Sequence, residues 1–164
     1  MRHIISTLVV HHPGVMIRVA GLFSRRGYNI ESIAVGKSED PALARIIIVV
    51  ETEDDKIVEQ IEKQLYKLID VIKVNDLPVE ESVERELALI KVNAGSQNRA
   101  EIMQIVDIFR AKIVDVSSRA VIIEITGSVA KVEAFIGLLK PYGIREIVRT
   151  GQIAMLRTQK KEKA

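Results

Sequence analysis

The sequence predicts an α+β protein made of two tandem βαββαβ units. Three observations lead to this prediction: β-branched runs typical of strands alternate with amphipathic helical stripes, the order strand, helix, strand, strand, helix, strand occurs twice, and a glutamate-rich segment with Pro78 separates the two copies. Such a unit folds most economically as one antiparallel sheet with both helices on one face, the ferredoxin-like arrangement. We therefore expect domains at residues 1–76 and 84–157, a linker at 77–83 and a basic tail at 158–164.

The first unit opens with the stretch around which the chain is organised. An apolar run from Ile4 to Val10 stops at His11-His12-Pro13-Gly14, which is the pattern of a strand followed by a short loop. Apolar residues then recur at i, i+4 and i+7 until Gly27, so a helix with a glycine stop is predicted. These apolar residues are Val15, Val19 and Leu22.

The start of this helix is a candidate seat for a small anion. Pro13 suits the first helical turn, because its φ is helix-like and it has no N–H group to leave unpaired. The next N–H groups, those of Gly14, Val15 and Met16, would then be free to donate. A helix N-terminus attracts carboxylates and phosphates through such groups and through its dipole. Most helices that start at a proline bind only water, so this pattern alone does not decide the function.

The remaining elements follow the same order in each unit. In the first unit we predict strands at Asn29–Val35 and Ala42–Glu51, a helix with Val58, Ile61, Leu65 and Leu68 on its apolar face, and a closing strand at Val71–Val74. In the second we predict a helix from Asn98, another over Val129–Leu139, and strands at Leu87–Val92, Ile113–Val116, Ala120–Thr126, Ile144–Val148 and Ile153–Leu156. Each sheet would leave edges unpaired, so we expect a homodimer.

The composition excludes several classes of function. A hydrophobic share of 48%, a charged share of 28% and the lack of a long apolar run indicate a soluble protein with no membrane partner, and we expect a cytoplasmic location because no leader precedes the first strand. The absence of cysteine and the presence of only three histidines argue against a metal site. The sequence lacks a basic stripe with aromatic platforms, which argues against nucleic-acid binding. It also lacks a recognisable nucleophile with its base, which argues against catalysis.

The turn at Pro13-Gly14, followed by RVAGLFSRRGYNIES at residues 18–32, resembles the opening of the regulatory small subunit of acetohydroxyacid synthase, also called acetolactate synthase. The first half of those subunits is an ACT domain. The resemblance covers nearly the whole chain, through residues 59–65 and 84–86, and is sparser in the second unit apart from residues 146–151.

The resemblance implies a non-catalytic regulatory subunit in branched-chain amino acid biosynthesis. Its partner would be the catalytic large subunit, which holds thiamine diphosphate, magnesium and FAD, while this chain would hold no cofactor. Binding would raise the activity of the large subunit and confer feedback inhibition by valine or a related amino acid. The alternative is a ligand-responsive transcription regulator of the ACT type, although both units are already used by βαββαβ patterns and leave no element for DNA.

The resemblance also implies which residues bind the effector, at the junction where two ACT domains join side by side into one sheet. His11, Pro13, Gly14 and Val15 would come from one protomer, and Asn29 and Ile30 from the other. His11 stands where the family commonly has asparagine, and only its neutral ring could accept from an ammonium group. From the residues alone, Asn29 after a glycine is a turn residue. Arg18, Arg25 and Arg26 match the family and either contact the catalytic partner or form a solvated helix face.

Overall fold

The computed structural model describes residues 1–158, which form two compact units. The first unit contains Met1–Val83 and the described residues from Gln152 onward, and the second contains Glu84–Gly151. Each unit has the order βαββαβ and an antiparallel sheet. The predicted α+β fold of two ferredoxin-like units is therefore confirmed.

Four strands and two helices form the main body of the first unit. In chain order they are β1 (Arg2–Val10), α1 (Val15–Arg25), β2 (Ile30–Lys37), β3 (Leu43–Glu51), α2 (Asp55–Tyr66) and β4 (Val71–Leu77). The strand order is β2-β3-β1-β4, and all neighbouring pairs are antiparallel. β1 and β3 consequently lie inside the sheet, whereas β2 and β4 lie at its edges.

The main core of the first unit lies between the sheet and the two helices. Residues of β1 and β3 alternate between the two sheet faces, so every second side chain points toward the helices. The buried members of this core include Ile5, Val9, Val15, Val19, Phe23, Ile46, Ile48, Ile61 and Leu65. A smaller cluster on the opposite face consists of Ile4, Ile47, Val49 and Leu77, with Ala154 packed against it.

The second unit repeats this plan. Its elements are β5 (Ser82–Asn93), α3 (Arg99–Ile108), β6 (Lys112–Val116), β7 (Ala120–Gly127), α4 (Val129–Leu139) and β8 (Ile144–Arg149), in the strand order β6-β7-β5-β8. A last short strand, β9 (Ile153–Leu156), pairs with β5. The fully buried part of the core between this sheet and its helices is aliphatic apart from Phe135, and Phe109 and Tyr142 pack against it. None of the helices in residues 1–158 is long and apolar enough to cross a bilayer.

The segment between the units differs from the expected linker. Residues 77–83 contain the end of β4, a 3-10 turn at Val79–Glu81 and the start of β5. β9 groups with the first unit although the sequence placed it in the second, because Ala154 joins the smaller cluster and the Arg157 N–H donates to the Glu81 carbonyl at 2.8 Å. The domain limits at 1–76 and 84–157 stay predictions. The predicted tail at 158–164 lies, after its first residue, outside the described residues.

The end of α1 sets the path of the chain into β2. Gly27 has a φ of +70°, its N–H donates to the Ser24 carbonyl at 3.2 Å, and the Tyr28 N–H donates to the Phe23 carbonyl at 3.1 Å. These two bonds form a Schellman motif, which requires a left-handed residue after the helix. The predicted glycine stop is therefore confirmed, and the motif fixes where Asn29 leaves the helix.

We expect Gly27→Ala to lower the free energy of unfolding by about 1–2 kcal/mol, because a side chain in the left-handed region meets its own backbone. Gly36→Ala is the matched control, since a Cβ at either glycine would meet no atom within 4 Å but only Gly27 has a positive φ. Urea unfolding of both variants checks this. An equal loss in the two variants would show that the backbone conformation is not the cause.

Candidate functional site

The turn between β1 and α1 ends in a glycine-capped helix start. α1 begins at Val15 with Gly14 as its N-cap, so the expected place of Pro13 in the first helical turn is wrong. Gly14 has a φ of +90° and a ψ of −12°, a left-handed conformation that glycine adopts without strain, and this pushes Pro13 out of the helix. The Gly14 carbonyl accepts the first helical bond, from the Arg18 N–H at 3.2 Å.

This helix start has the properties of an anion seat. Within residues 1–158 no side chain caps it, and its first turn contains no acidic residue. The N–H groups of Val15, Met16 and Ile17 belong to the first turn and have no partner within the helix. A Cβ on Gly14 would meet no atom within 4 Å, so there is space beside the turn. A small carboxylate therefore has donors, a favourable dipole and room here.

His11 and His12 occupy different surroundings in this turn. The His11 N–H donates to the Ala42 carbonyl at 2.8 Å, which continues the pairing of β1 with β3 by one residue, and the His11 side chain lies at the surface. The His12 ring lies between two acceptors: Nδ1 is 2.9 Å from the Pro13 carbonyl oxygen and Nε2 is 2.5 Å from Asp70 Oδ1. His12 therefore makes the side-chain contacts that hold the turn.

Asp70 is the acceptor that links this turn to the rest of the unit. It lies between α2 and β4 and is only 7% exposed, and its second carboxylate oxygen accepts from the Arg18 guanidinium. Its carbonyl accepts from the Val10 N–H at 2.8 Å. A cluster of three charged groups, His12, Asp70 and Arg18, thus joins the turn, the segment before β4 and the second turn of α1.

The geometry of this cluster favours a protonated His12. Both ring nitrogens face oxygen acceptors, and only the imidazolium has two N–H donors. The hydrogen bond to the Pro13 carbonyl, and then the hydrogen bond to Asp70, raise the pKa of His12 above its ordinary value. Burial works to raise the pKa of Asp70, but the hydrogen bonds from His12 and Arg18 outweigh it and the net shift is downward. Both shifts favour the ionised pair near neutral pH.

Asn29 and Ile30 lie at the opposite end of the sheet from this turn. Ile30 starts β2 opposite Val50, and its half-buried side chain packs against the main core. Asn29 is exposed, and its Nδ2 donates to Glu31 Oε1 at 2.8 Å. Both residues lie at the end of the sheet where β1 begins, since Arg2 pairs with Glu51.

The predicted effector residues of one chain therefore do not meet. β1 and β2 run in the same direction, because each is antiparallel to β3. The seat follows the last residue of β1, whereas Asn29 precedes the first residue of β2. The nine residues of β1 separate these positions by roughly 25–30 Å at the ordinary rise of a strand. One chain brings together His11, Pro13, Gly14 and Val15 but not Asn29 and Ile30.

The three predicted partner-contact arginines also differ in their surroundings. The Arg18 guanidinium forms an ion pair with Asp70 of the same chain, so it already has a partner within the first unit. Arg25 ends α1 and Arg26 is its C-cap, and both are exposed. No group of His, Asp and Glu side chains within residues 1–158 has the arrangement of a metal site.

Sequence reasoning missed Asp70 and did not select His12. The topology contained the signal: in a βαββαβ unit β4 pairs antiparallel with β1, so the residue before β4 lies beside the residue after β1. An acidic residue just before the fourth strand and a basic residue just after the first are therefore neighbours. Asp70 stands 58 positions from His12, beyond the reach of any local motif.

The first unit, with its glycine-capped helix start, is of the ACT class of regulatory domains. A family model described as the AHAS small subunit-like ACT domain matches residues 5–73, and one described as the small subunit of acetolactate synthase matches residues 85–158. The chain belongs to the acetolactate synthase small-subunit family, which confirms the resemblance drawn from its sequence.

Individual relatives agree with this assignment. The chain is 56% identical to a probable acetolactate synthase small subunit of Archaeoglobus fulgidus, with 98% of this chain and 100% of the relative covered. It is 51% identical to the acetolactate synthase small subunit of Bacillus subtilis, with 98% and 94% covered. The crystal structure of the small subunit from Thermotoga maritima matches with a TM-score of 0.90 and 55% identity, over 97% of this chain and 99% of that one.

The His12–Asp70 contact makes the stability of the protein depend on pH. Because the folded pKa of His12 is raised, its contribution is fully present below an unfolded pKa of about 6.5 and is lost as pH rises through the folded value. We expect the difference in unfolding free energy between the native chain and His12→Gln to shrink from mildly acidic to mildly alkaline pH. Urea titrations at several pH values measure it.

The matched control is His11→Gln, which changes the neighbouring exposed histidine. It should leave the pH dependence of the native chain in place. The contribution of the lowered Asp70 pKa is present above an unfolded value of about 3.9 and is lost only at more acidic pH, so it does not overlap this range. A His12→Gln difference that stays constant from acidic to alkaline pH would contradict the ion pair.

Proposed function

We propose that this chain is the regulatory subunit of an acetohydroxyacid synthase and acts in branched-chain amino acid biosynthesis. It binds the catalytic large subunit, raises its activity, and confers feedback inhibition by valine or a related amino acid. The observation that carries the proposal is the family match over both units of the chain. Catalysis and its cofactors, thiamine diphosphate, magnesium and FAD, belong to the large subunit.

The chemistry of the β1–α1 turn suits an amino acid effector. The carboxylate of valine is a small anion, and the N–H groups of Gly14 and Val15, with the positive end of the helix dipole, stabilise such a group. The ammonium group of valine needs acceptors, which the Asn29 amide oxygen and backbone carbonyls supply. Ile30 offers apolar surface for the isopropyl group.

We propose that the effector site is built from two copies of the chain. β2 is an edge strand, so its outer edge has backbone donors and acceptors that a second β2 can pair with. In an antiparallel pair related by a two-fold axis, the start of one β2 lies beside the end of the other. Asn29 and Ile30 of the second copy then lie at the end of the sheet that carries the turn. Three strand spacings, about 14 Å, separate β1 of the first copy from β2 of the second.

Gly14→Asp should abolish valine binding without unfolding the protein. Its carboxylate would occupy the position of the effector carboxylate, and like charges repel. Gly14→Asn is the matched control for the charge, since asparagine has the same shape, caps a helix as well as aspartate does and has a similar tolerance of the left-handed backbone that Gly14 adopts. A greater loss of affinity in Gly14→Asp than in Gly14→Asn therefore measures the like-charge repulsion. Calorimetric titration with valine compares them. If both variants bind valine as the native chain does, the effector carboxylate sits elsewhere.

A mixing experiment tests whether two copies share the site. Gly14→Asp and Asn29→Ala each disable every site when alone. In a mixed dimer, one site carries both changes and the other carries neither, so random mixing should restore about a quarter of the native sites. Valine titration of co-expressed variants measures this fraction. If the site is contained in one chain, mixing restores none.

Reconstitution with the catalytic subunit tests the proposed role directly. Adding this chain should raise the activity of its large subunit and make that activity sensitive to valine. We expect the double variant with Arg25→Glu and Arg26→Glu to weaken activation, because both side chains are exposed at the end of α1 and reverse their charge. Valine titration of the isolated double variant is its control, since both residues lie close in sequence to Asn29. Neither activation nor valine sensitivity on mixing would overturn the proposed function.

The transcription-regulator alternative has no support in the fold. The described residues are accounted for by the two βαββαβ units and β9, and no further helix pair is available among them for a DNA groove.

A further inference from the structure

We infer that His12 is a positioning residue of the proposed effector site, and that its doubly protonated ring holds the β1–α1 turn in the conformation that receives a carboxylate. This inference rests on the proposed function, because it concerns the same site. It assigns a role to a side chain that acts through the backbone of Pro13 and Gly14.

The contact between His12 and Pro13 orients one of the effector's donors. In a trans peptide the carbonyl and the following N–H point in opposite directions. The His12 Nδ1 lies 2.9 Å from the Pro13 carbonyl oxygen, so this bond also fixes the direction of the Gly14 N–H. Gly14 has a φ of +90°, and a Cβ added to it would meet no atom within 4 Å. Steric contacts at Gly14 therefore do little to prevent the Pro13–Gly14 peptide from rotating. The ring therefore supplies a restraint that the glycine lacks.

The other ring nitrogen anchors His12 to a buried group. Asp70 is 7% exposed, accepts from both His12 and Arg18, and is tied through its carbonyl to the Val10 N–H. The charged groups that act on the ring are Asp70, from the segment before β4, and Arg18, from α1. His11 is its titratable neighbour in the turn. The anchor is thus fixed by the sheet and by the same helix that forms the seat.

Loss of one proton removes the restraint on the turn. The carboxylate of Asp70 keeps the proton on Nε2, because a hydrogen bond to a charged acceptor is stronger than one to a neutral carbonyl. Nδ1 then presents a lone pair to the Pro13 oxygen, which repels it. The Pro13–Gly14 peptide is released, and the nearby positive charge is lost as well. Both effects weaken the binding of a carboxylate, so affinity falls as pH rises through the pKa of His12.

This direction is opposite to the one expected for a neutral His11 that accepts from the effector, and it is the same as the one expected for a protonated His11 paired to the carboxylate. A solvent-facing His11 would have no effect. If neutral His11 accepts from the effector's ammonium group, affinity falls as pH decreases. If His12 holds the turn, affinity falls as pH increases. The sign of the pH dependence, together with variants at each histidine, therefore separates the two residues.

The experiment is a calorimetric titration of the full chain with valine from about pH 6 to about pH 8.5, a range that brackets the ordinary histidine pKa. We expect native affinity to fall by about two- to fivefold across this range, the size of one partly exposed charge acting on a nearby anion. His12→Gln should bind more weakly at the acidic end and show no fall. His11→Asn, the matched control, should keep the fall.

A parallel titration of the histidine ring by NMR, without valine, tests the restraint itself. The His12 ring should titrate above the ordinary value in the native chain and closer to it in Asp70→Asn, and the midpoint of the affinity change should follow the ring. If Asp70→Asn does not fold, the calorimetric comparison of the native chain with His12→Gln still tests the inference. An affinity that is independent of pH in His11→Asn as well as in the native chain, or a fall that persists in His12→Gln, would overturn the inference. No valine binding at any pH, with His12 still titrating high, would instead overturn the proposed effector.

Discussion

The position of the β1–α1 turn depends on the central place of β1 in its sheet. Hydrogen bonds from β3 and β4 hold β1 on both sides, so the residues that follow Val10 leave the sheet at a fixed point. The same pairing places the start of β4 beside the end of β1 and brings Asp70 to His12. The antiparallel register therefore positions the helix start and also supplies the buried carboxylate that holds it.

A glycine at the helix start creates the seat and also the need for the His12 contact. Gly14 lacks a capping side chain, so the N–H groups of the first turn remain available to an outside acceptor. Serine or aspartate at this position would cap the helix and occupy those donors. The glycine is also the least restrained residue of the turn. Because no capping side chain restrains this turn, the restraint has to come from outside the helix, and the hydrogen bond from His12 to the Pro13 carbonyl provides it.

Much of the fold could be predicted from periodicity, because burial on one face of a strand or helix leaves a regular pattern. The glycine stop at Gly27 followed from local chemistry, since only a left-handed residue completes the Schellman motif. The start of α1 was predicted two residues too early, at Pro13 instead of Val15, because proline suits N1 and the left-handed state of Gly14 cannot be read from one sequence. The 3-10 turn within residues 77–83 was not predicted, because Pro78 and the glutamates have the composition of a linker. The hydrogen bond to the Glu81 carbonyl comes from Arg157, which is distant in sequence.

The candidate site was predictable in part for the same reason. The helix start after His11-His12-Pro13-Gly14 is local and could be predicted from the sequence, but the contrast between the two adjacent histidines could not. His11 and His12 have the same chemistry in sequence, and only a carboxylate 58 positions away distinguishes them. The separation of Asn29 from the seat follows from strand direction, which requires the topology.

If the effector contacts two copies of the chain, its binding and the association of those copies are thermodynamically linked. A ligand that binds only the paired form stabilises that form, and pairing raises the affinity for the ligand by the same factor. Valine then needs no contact with a catalytic partner to influence it. If valine shifts how two sheets join along β2, it also changes the relative placement of the two α1 helices, which carry Arg25 and Arg26.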